Sequence, residues 1–354
     1  MLQCFFQWAF CTTTTSIVSG AVAERIRSPT FVMYSLCMSS FIYPVVVAWT
    51  WGGGWLSEFL KVGFTDLAGS GVVHLTGGIS GLVGAIIVRP RAGRFQGNAV
   101  SFEAHNLPLA VLGTLFLWVG WFGFNAGSVG AMRNGLEASL AAHIAMNTVL
   151  SGATGGLTVM LLRWIAVRKY DVGGLCNGIL AGVVSITAGC SNITNLSAIG
   201  VAAVGGLLYQ LAANLLQRLH IDDPVNAFPV HGVCGLWGCL AAVLCDWGGF
   251  DRFHGMNGWE CFRVSSPDTT DRSCFGPEEK GLALLVWLIF MVCVILWAGG
   301  LSFILFQSAQ LLGLLRVDHE ADEKGIDAIE HAQNRAYNFS EQQGPNSWRV
   351  LWFQ

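Results

Sequence analysis

The chain has 354 residues, of which 53% are hydrophobic and only 12% are charged, and its net charge is −3. About a quarter of the residues in a soluble domain are charged, so this composition favours a polytopic membrane protein. The negative net charge and the absence of a basic patch argue against a nucleic-acid partner.

Nine apolar stretches are long enough to cross a bilayer, since a spanning helix needs about 20 apolar residues. Short polar connectors and two longer loops, 89–108 and 247–280, separate them. We therefore predict an all-α membrane domain over residues 1–315, followed by a tail over residues 316–354. The predicted spans are 2–22, 30–51, 69–88, 109–129, 140–167, 172–190, 196–219, 225–246 and 281–315.

The basic residues predict the orientation of these spans. Ten lie in connectors on the face where the first span ends, and six lie in connectors on the opposite face, four of them in one long loop. Because Lys and Arg are enriched in cytoplasmic connectors, we predict that the first face and the tail are cytoplasmic. The ten residues are Arg25, Arg27, Arg89, Arg91, Arg94, Arg163, Arg168, Lys169, Arg218 and Arg316.

Two apolar spans contain a histidine eight residues after an aspartate. His74 follows Asp66 in the third span, and His231 follows Asp223 in the eighth. A titratable group at membrane depth usually lines a water-filled or substrate path. The two motifs cross the membrane in opposite directions, which is the pattern of an inverted repeat. We therefore predict a path between two related halves.

Several interpretations of these four residues remain open. The histidines could be hydrogen-bonded core residues or a pair that relays a proton. A metal site is disfavoured, because no third ligand has a fitting spacing. Asp223 precedes a proline at a helix start, which is typical of a helix cap. Asp66 could be a cap or part of an external mouth.

Aromatic residues cluster towards the predicted external ends of the first, second and fourth spans. Phe10, Trp51 and Phe124 lie there, and Ser128 follows one turn after Phe124. Aromatic faces with a nearby hydroxyl suit a small desolvated cation. Ordinary core packing is the alternative. The glycines of the spans are interpreted as allowing close helix packing.

Other signals are weaker. No nucleotide-binding, hydrolase or zinc-protease motif lies in a suitable context, which disfavours an enzyme. Cys261 and Cys274 lie in the long external loop and could form a disulfide or stay free.

Five motifs together resemble the ammonium transporter (Amt/Mep/Rh) family. The resemblance runs from residue 2 to about Tyr337. Trp51 favours the ammonium-transporter branch over the Rhesus-type branch, which lacks that tryptophan. The motifs are Ala21-Val-Ala-Glu-Arg-Ile-Arg27, Asp66-Leu-Ala-Gly-Ser-Gly-Val-Val-His74, His105-Asn-Leu-Pro108, Gly120-Trp-Phe-Gly-Phe-Asn-Ala-Gly-Ser128, and Asp222-Asp-Pro with Val230-His-Gly-Val-Cys-Gly235.

The resemblance implies an eleven-helix fold of two inverted five-helix halves plus a closing helix. It also implies a homotrimer in the plasma membrane, ammonium or ammonia as substrate and no cofactor. About nine of the eleven helices are expected here, because the chain begins at what resembles the third. The tail over residues 316–354 leaves an ammonium sensor as an alternative to a transporter, and the absent helices leave a non-functional truncated fragment as another.

The resemblance also implies roles for individual residues. Phe10 contributes to both the external ammonium site and the gate below it. The tail segment 325–331 resembles a regulatory tail in which Ile329 replaces a threonine switch, so phosphorylation there is not expected. The implied residues are Trp51, Ser128, Phe10, Asp66 and Thr187 for substrate binding, Phe10 and Phe124 for the gate, and His74 and His231 for the pore.

Overall fold

The computed structural model describes residues 2–97, 102, 104, 106–245 and 277–326. Within these residues the chain is helical, and all nine predicted spans are present as helices. His105, Cys261, Cys274 and Ile329 lie outside the described residues. The helices are α1 Leu2–Val22, α2 Ser28–Trp49, α3 Ser70–Val88, α4 Leu107–Val129, α5 Gly135–Val167, α6 Val172–Thr187, α7 Asn195–Arg218, α8 Phe228–Leu244, α9 Gly281–Leu311 and α10 His319–Lys324.

Length and composition make six of these helices able to cross a membrane: α2, α3, α4, α5, α7 and α9. The apolar helices α6 and α8 are shorter. Helix α1 contains a run of four threonines, Thr12–Thr15. Each of these hydroxyls donates to the carbonyl four residues earlier, at 2.9–3.1 Å. Because the helix's own backbone satisfies them, the hydroxyls do not exclude α1 from an apolar environment.

Side-chain caps start the helices α4 to α7. Asn106 accepts from the Leu109 amide at 2.9 Å, and Asn134, Asp171 and Thr194 accept from the amide three residues later. Helix starts leave backbone N–H groups without a partner, and Asn, Asp and Thr are the residue types that satisfy them. These four positions therefore fix where the helices begin.

The helices differ strongly in burial. In α3, 78% of the most apolar window is buried inside the protein, against 11% in α4. Helix α3 therefore lies at the centre and α4 at the periphery, where its apolar side chains face outward. The largest apolar core joins α1, α2 and α3 to α9.

Helices α3 and α8 run antiparallel through the centre. The Arg25 side chain donates to the Arg89 carbonyl, just after α3, at 2.9 Å, and to the Asp222 carbonyl, just before α8, at 2.5 Å. The end of α3 and the start of α8 therefore lie on the same face. This geometry agrees with the inverted repeat expected from the sequence.

The chain after α9 returns to that face. Arg316 donates to the Val88 carbonyl at 2.8 Å, and the amide of Val317 donates to the Arg25 carbonyl at 3.1 Å. Arg91 binds the Asp222 carboxylate on the same face. Arg25, Arg91 and Arg316, which the sequence placed on one predicted face, thus lie close together in the structure.

Candidate functional site

The two histidines of the repeated motif meet where α3 and α8 cross. Their Nδ1 atoms are 3.2 Å apart, and their rings stack with centroids 5.1 Å apart. Two unprotonated ring nitrogens cannot hydrogen-bond to each other, so one Nδ1 carries the proton and donates to the other. His74 is fully buried, and its Nε2 has no hydrogen-bond partner among the described residues. That nitrogen is a free hydrogen-bonding position inside the protein.

Each histidine lies in a π-helical segment at the start of its helix. The segments are Ser70–Leu75 and Phe228–Val233. A π-helical turn contains one residue more than an α-helical turn, and such turns often occur at functional sites. The sequence pattern did not indicate them, because the apolar residues of both spans are almost continuous.

Asp66 caps the His74 segment with both carboxylate oxygens. One oxygen accepts from the amides of Gly69 and Ser70 at 2.8 and 2.9 Å, and the other from those of Gly71 and Val72 at the same distances. The residue is only 5% exposed. Four hydrogen bonds to the charged group offset the cost of burying it.

Asp223 caps the His231 segment with fewer bonds. Its two oxygens accept from the amides of Ala227 and Phe228 at 2.9 and 2.8 Å. The helix-cap interpretation of Asp223 agrees with this geometry. The aspartates thus hold equivalent positions in the two halves but carry different numbers of bonds.

Glycines allow the two histidine helices to cross closely. Gly78 and Gly235 each follow their histidine by four residues. A Cβ atom on Gly78 would lie 2.2 Å from the Gly232 backbone nitrogen, and one on Gly235 would lie 2.4 Å from the Ser70 carbonyl oxygen. Neither position has room for a side chain. The crossing, and with it the histidine contact, therefore depends on both glycines.

An aromatic column leads from the histidines towards the predicted external side. The Phe10 and Phe124 rings stack at 4.1 Å, and Phe124 is 5.4 Å from the His74 ring. Trp51 meets Phe10 edge to face at 5.6 Å, and its Nε1 donates to the Asp66 carbonyl at 2.7 Å. The structure thus brings together four predicted site residues and places Asp66 beside them.

Ser128 lies one turn after Phe124 and is partly buried. Its hydroxyl donates to the Phe124 carbonyl at 2.7 Å. The hydroxyl proton of Ser128 is therefore already donated within the helix, whereas the lone pairs of the same oxygen can still accept a hydrogen bond.

Thr187 contacts the site through a residue that the sequence analysis did not select. Its Oγ1 accepts from Trp121 Nε1 at 3.1 Å and donates to the Val183 carbonyl at 2.6 Å. The Trp121 ring stacks on His74, with centroids 5.3 Å apart. Trp121 belongs to the Gly120–Ser128 motif, but the chain has 14 tryptophans and no sequence spacing distinguishes the one that contacts His74.

The described residues contain no group of three His, Cys, Asp or Glu side chains that could hold a metal ion. The site as described consists of two imidazoles, aromatic rings and single hydroxyl groups.

Comparison with known proteins gives consistent matches over most of the chain. The model of the Ammonium Transporter Family matches residues 1–337. Ammonium transporter Amt2 of Archaeoglobus fulgidus is 37% identical over an alignment of 350 positions, gaps included, which covers 95% of this chain and 70% of that protein. Ammonium transporter 1 member 3 of Solanum lycopersicum is 35% identical over an alignment of 363 positions, gaps included, which covers 96% of this chain and 75% of the relative.

Solved structures show the same fold. A structure titled "Sensor Amt Protein" superposes with a TM-score of 0.78 at 29% identity, covering 93% of this chain and 76% of the other. The crystal structure of Saccharomyces cerevisiae Mep2 gives a TM-score of 0.74 at 29% identity, with 89% and 67% covered.

Proposed function

The chain belongs to the ammonium transporter family, and from that premise we propose that it moves ammonium across a membrane as ammonia and a proton. The observation that carries this proposal is the pair of histidines, whose Nδ1 atoms lie 3.2 Å apart directly below the stacked Phe10 and Phe124 rings. A bare ammonium ion is expensive to place among apolar groups, whereas ammonia is neutral. The proton therefore has to leave the ion before the apolar part of the path.

Recruitment takes place at the aromatic mouth. The faces of Trp51 and Phe10 attract a cation, and the Ser128 oxygen accepts one of its N–H groups because its own proton is already donated. Asp66 acts here by holding Trp51 through its backbone carbonyl, since its carboxylate is occupied by four amides. Thr187 orients Trp121 against His74.

The stacked phenylalanines form the gate. With centroids 4.1 Å apart, their rings leave no space between them for a hydrated ion, so passage requires one ring to swing aside. The gate therefore admits a small molecule that has shed its water.

The histidines take up the proton below the gate. His74 Nε2, which has no partner, accepts a proton from NH4+, leaving NH3. His74 then releases its Nδ1 proton across the 3.2 Å contact to His231 Nδ1. The relay needs His74 protonated and His231 unprotonated at Nδ1 before the step, and each ring stays neutral overall between turnovers. His231 then releases the proton on its Nε2 to the far side, and NH3 follows the apolar path. Both rings are neutral again, and they return to their starting tautomers before the next turnover.

Growth rescue tests the proposal. The full chain is expressed in yeast lacking its own ammonium transporters, and growth on low ammonium is measured. We expect rescue by the wild-type chain and a sharp loss of rescue with His74→Asp. A wild-type chain that reaches the membrane intact and does not restore growth would contradict the proposal.

We further propose a homotrimer in the plasma membrane with a cytoplasmic tail. Only 11% of the most apolar window of α4 is buried inside the protein, which supports embedding of this helix in lipid or its contact with another subunit. Crosslinking of the full chain in membranes, followed by mass determination, tests the trimer.

A sensor is the second candidate, because one matching structure is titled "Sensor Amt Protein". The contact of Arg316 with the end of α3 gives the tail a route to the pore. Signalling that survives a His231→Gln variant without flux would favour this candidate.

A further inference from the structure

Two side chains restrain the turn before the His231 segment: the Asp223 carboxylate, which caps it, and the Asn226 amide. Asn226 has a φ of +57°, and its carbonyl accepts from the Val230 amide at 3.0 Å. Its position therefore influences the segment that begins at Phe228. Asp223 caps the same turn.

A buried tyrosine binds this turn from α7. The Asn226 side-chain amide donates to the Tyr209 hydroxyl oxygen at 3.3 Å, and Arg163 of α5 donates to the same oxygen at 3.5 Å. Tyr209 is fully buried. Arg163 is fixed in turn by an ion pair with Asp171 and by a 2.8 Å bond to Gln210. The Tyr209 hydroxyl is thus the point where α5, α7 and the entry to α8 meet.

The other half restrains its histidine segment differently. Ser70, four residues after Asp66, donates to the Val184 carbonyl at 2.8 Å and accepts from the Ala188 amide at 2.7 Å. The equivalent position after Asp223 is Ala227, which packs against apolar residues of α1. An alanine side chain offers no hydrogen bond. Besides the Asp223 cap, the polar contact between this turn and α7 in the described structure is therefore the bond from Asn226 to Tyr209.

We infer that Tyr209 is a positioning residue for His231, acting through Asn226 to hold the imidazole against His74. The expected effect on transport rests on the proposed function, whereas the position of the His231 ring can be tested without transport. Small displacements of a reacting group strongly reduce rates, so a loosened His231 slows the proton step. The mouth lies in other elements, so ammonium recruitment is not altered.

Three variants of the full chain test this inference. Tyr209→Phe removes only the hydroxyl, and Asn226→Gly removes the amide at a position where glycine tolerates the positive φ. Tyr34→Phe is the matched control, because Tyr34 is also buried and its hydroxyl also makes a bond, 2.9 Å to Ser302, in another part of the protein. In proteoliposomes we expect the first two variants to lower the maximal uptake rate about three- to tenfold with unchanged half-saturating ammonium. The control should keep the wild-type rate.

Histidine 15N spectra of the labelled chain give a readout that does not require transport. The Nδ1 signals, assigned with His74→Gln and His231→Gln, should shift in Tyr209→Phe and Asn226→Gly and stay unchanged in Tyr34→Phe. Unchanged signals in the first two variants would overturn the inference, as would equal rate losses in all three. If Tyr209→Phe does not fold, Asn226→Gly decides. Shifted signals in a chain that transports nothing would support the inference and contradict the proposed function.

Discussion

The segments that carry His74 and His231 have the same design but are restrained unequally. Both are π-helical, both follow an aspartate cap, and both place a glycine four residues after the histidine. The His74 segment is buried throughout and is capped by four amide bonds, whereas the His231 segment has two and a partly exposed histidine. The two halves thus share the crossing but differ in the contacts that support it. The His74 segment is fixed by a four-bond cap and by the bonds of Ser70 to Val184 and Ala188, whereas the His231 segment has a two-bond cap and the Asn226–Tyr209 bond.

The shared feature, the glycine crossing, should give the largest effect. Gly78→Val and Gly235→Val both place a side chain where even a Cβ atom lies 2.2–2.4 Å from backbone of the partner helix. We expect loss of the folded protein or at least about 3 kcal/mol of destabilisation, since overpacking on rigid backbone cannot be relieved by a side-chain shift. Yield and thermal unfolding of the purified chain measure this.

Gly120→Val is the control, because no atom of another helix lies within 4 Å of a Cβ at that position on α4. A well-folded Gly78→Val protein with wild-type transport would show that the crossing is not needed.

The unequal caps should give the next effect. Asp66→Ala leaves four buried amides without acceptors and Asp223→Ala leaves two. We expect the free energy of unfolding to fall by about 3 kcal/mol or more for the first and by about 1–2 kcal/mol for the second. Chemical denaturation in detergent compares them, each against its Asn variant, which keeps one acceptor oxygen. Equal losses for the two alanine variants would remove the asymmetry on which this account depends.

A smaller effect concerns pH at the face where α8 begins. Burial raises the pKa of Asp222, but hydrogen bonds and charge from Arg91 outweigh it and leave that pKa below its ordinary value. A carboxyl group whose pKa is lowered on folding contributes stability above its unfolded pKa of about 3.9, and the contribution is lost as the pH falls through the folded value. We expect the thermal stability of the wild type to drop below about pH 4. Asp222→Asn should be less stable at pH 7 and should lose less on acidification.

The control for this pH effect is the neighbouring aspartate. Burial raises the pKa of Asp223 in the folded protein. Protonation of Asp223 on acidification therefore favours the folded state, so Asp223 cannot cause the expected loss of stability below about pH 4. A pH profile of Asp222→Asn parallel to that of the wild type would contradict the assignment to Asp222.

The sequence predicted the fold and the meeting of the two histidines for physical reasons. Nine long apolar stretches have few alternatives to membrane helices, and two histidines at matched depth in inverted spans are expected to meet. Phe10 stacks on Phe124, and these are the two residues for which the family resemblance implied a gate. These features follow from local pattern and from the order of the spans.

Other features depend on which helices become neighbours. The glycines were interpreted as general helix packing, and only the crossing shows that Gly78 and Gly235 set the histidine distance. Asp66 was assigned to substrate binding, and its four amide bonds follow from the path of the backbone just after it. Trp121 and Tyr209 act through contacts with distant segments, so no spacing in the sequence indicated them.

The central claim is that ammonia and its proton pass at the contact between His74 and His231. The most direct measurement is the electrical current into proteoliposomes containing the full chain after an inward ammonium gradient is applied, because a proton that passes with neutral ammonia carries one positive charge. We expect the wild-type chain to carry inward charge faster than protein-free liposomes do, and the folded double variant His74→Leu, His231→Leu to match the protein-free rate. A double variant that keeps the wild-type rate would contradict the claim.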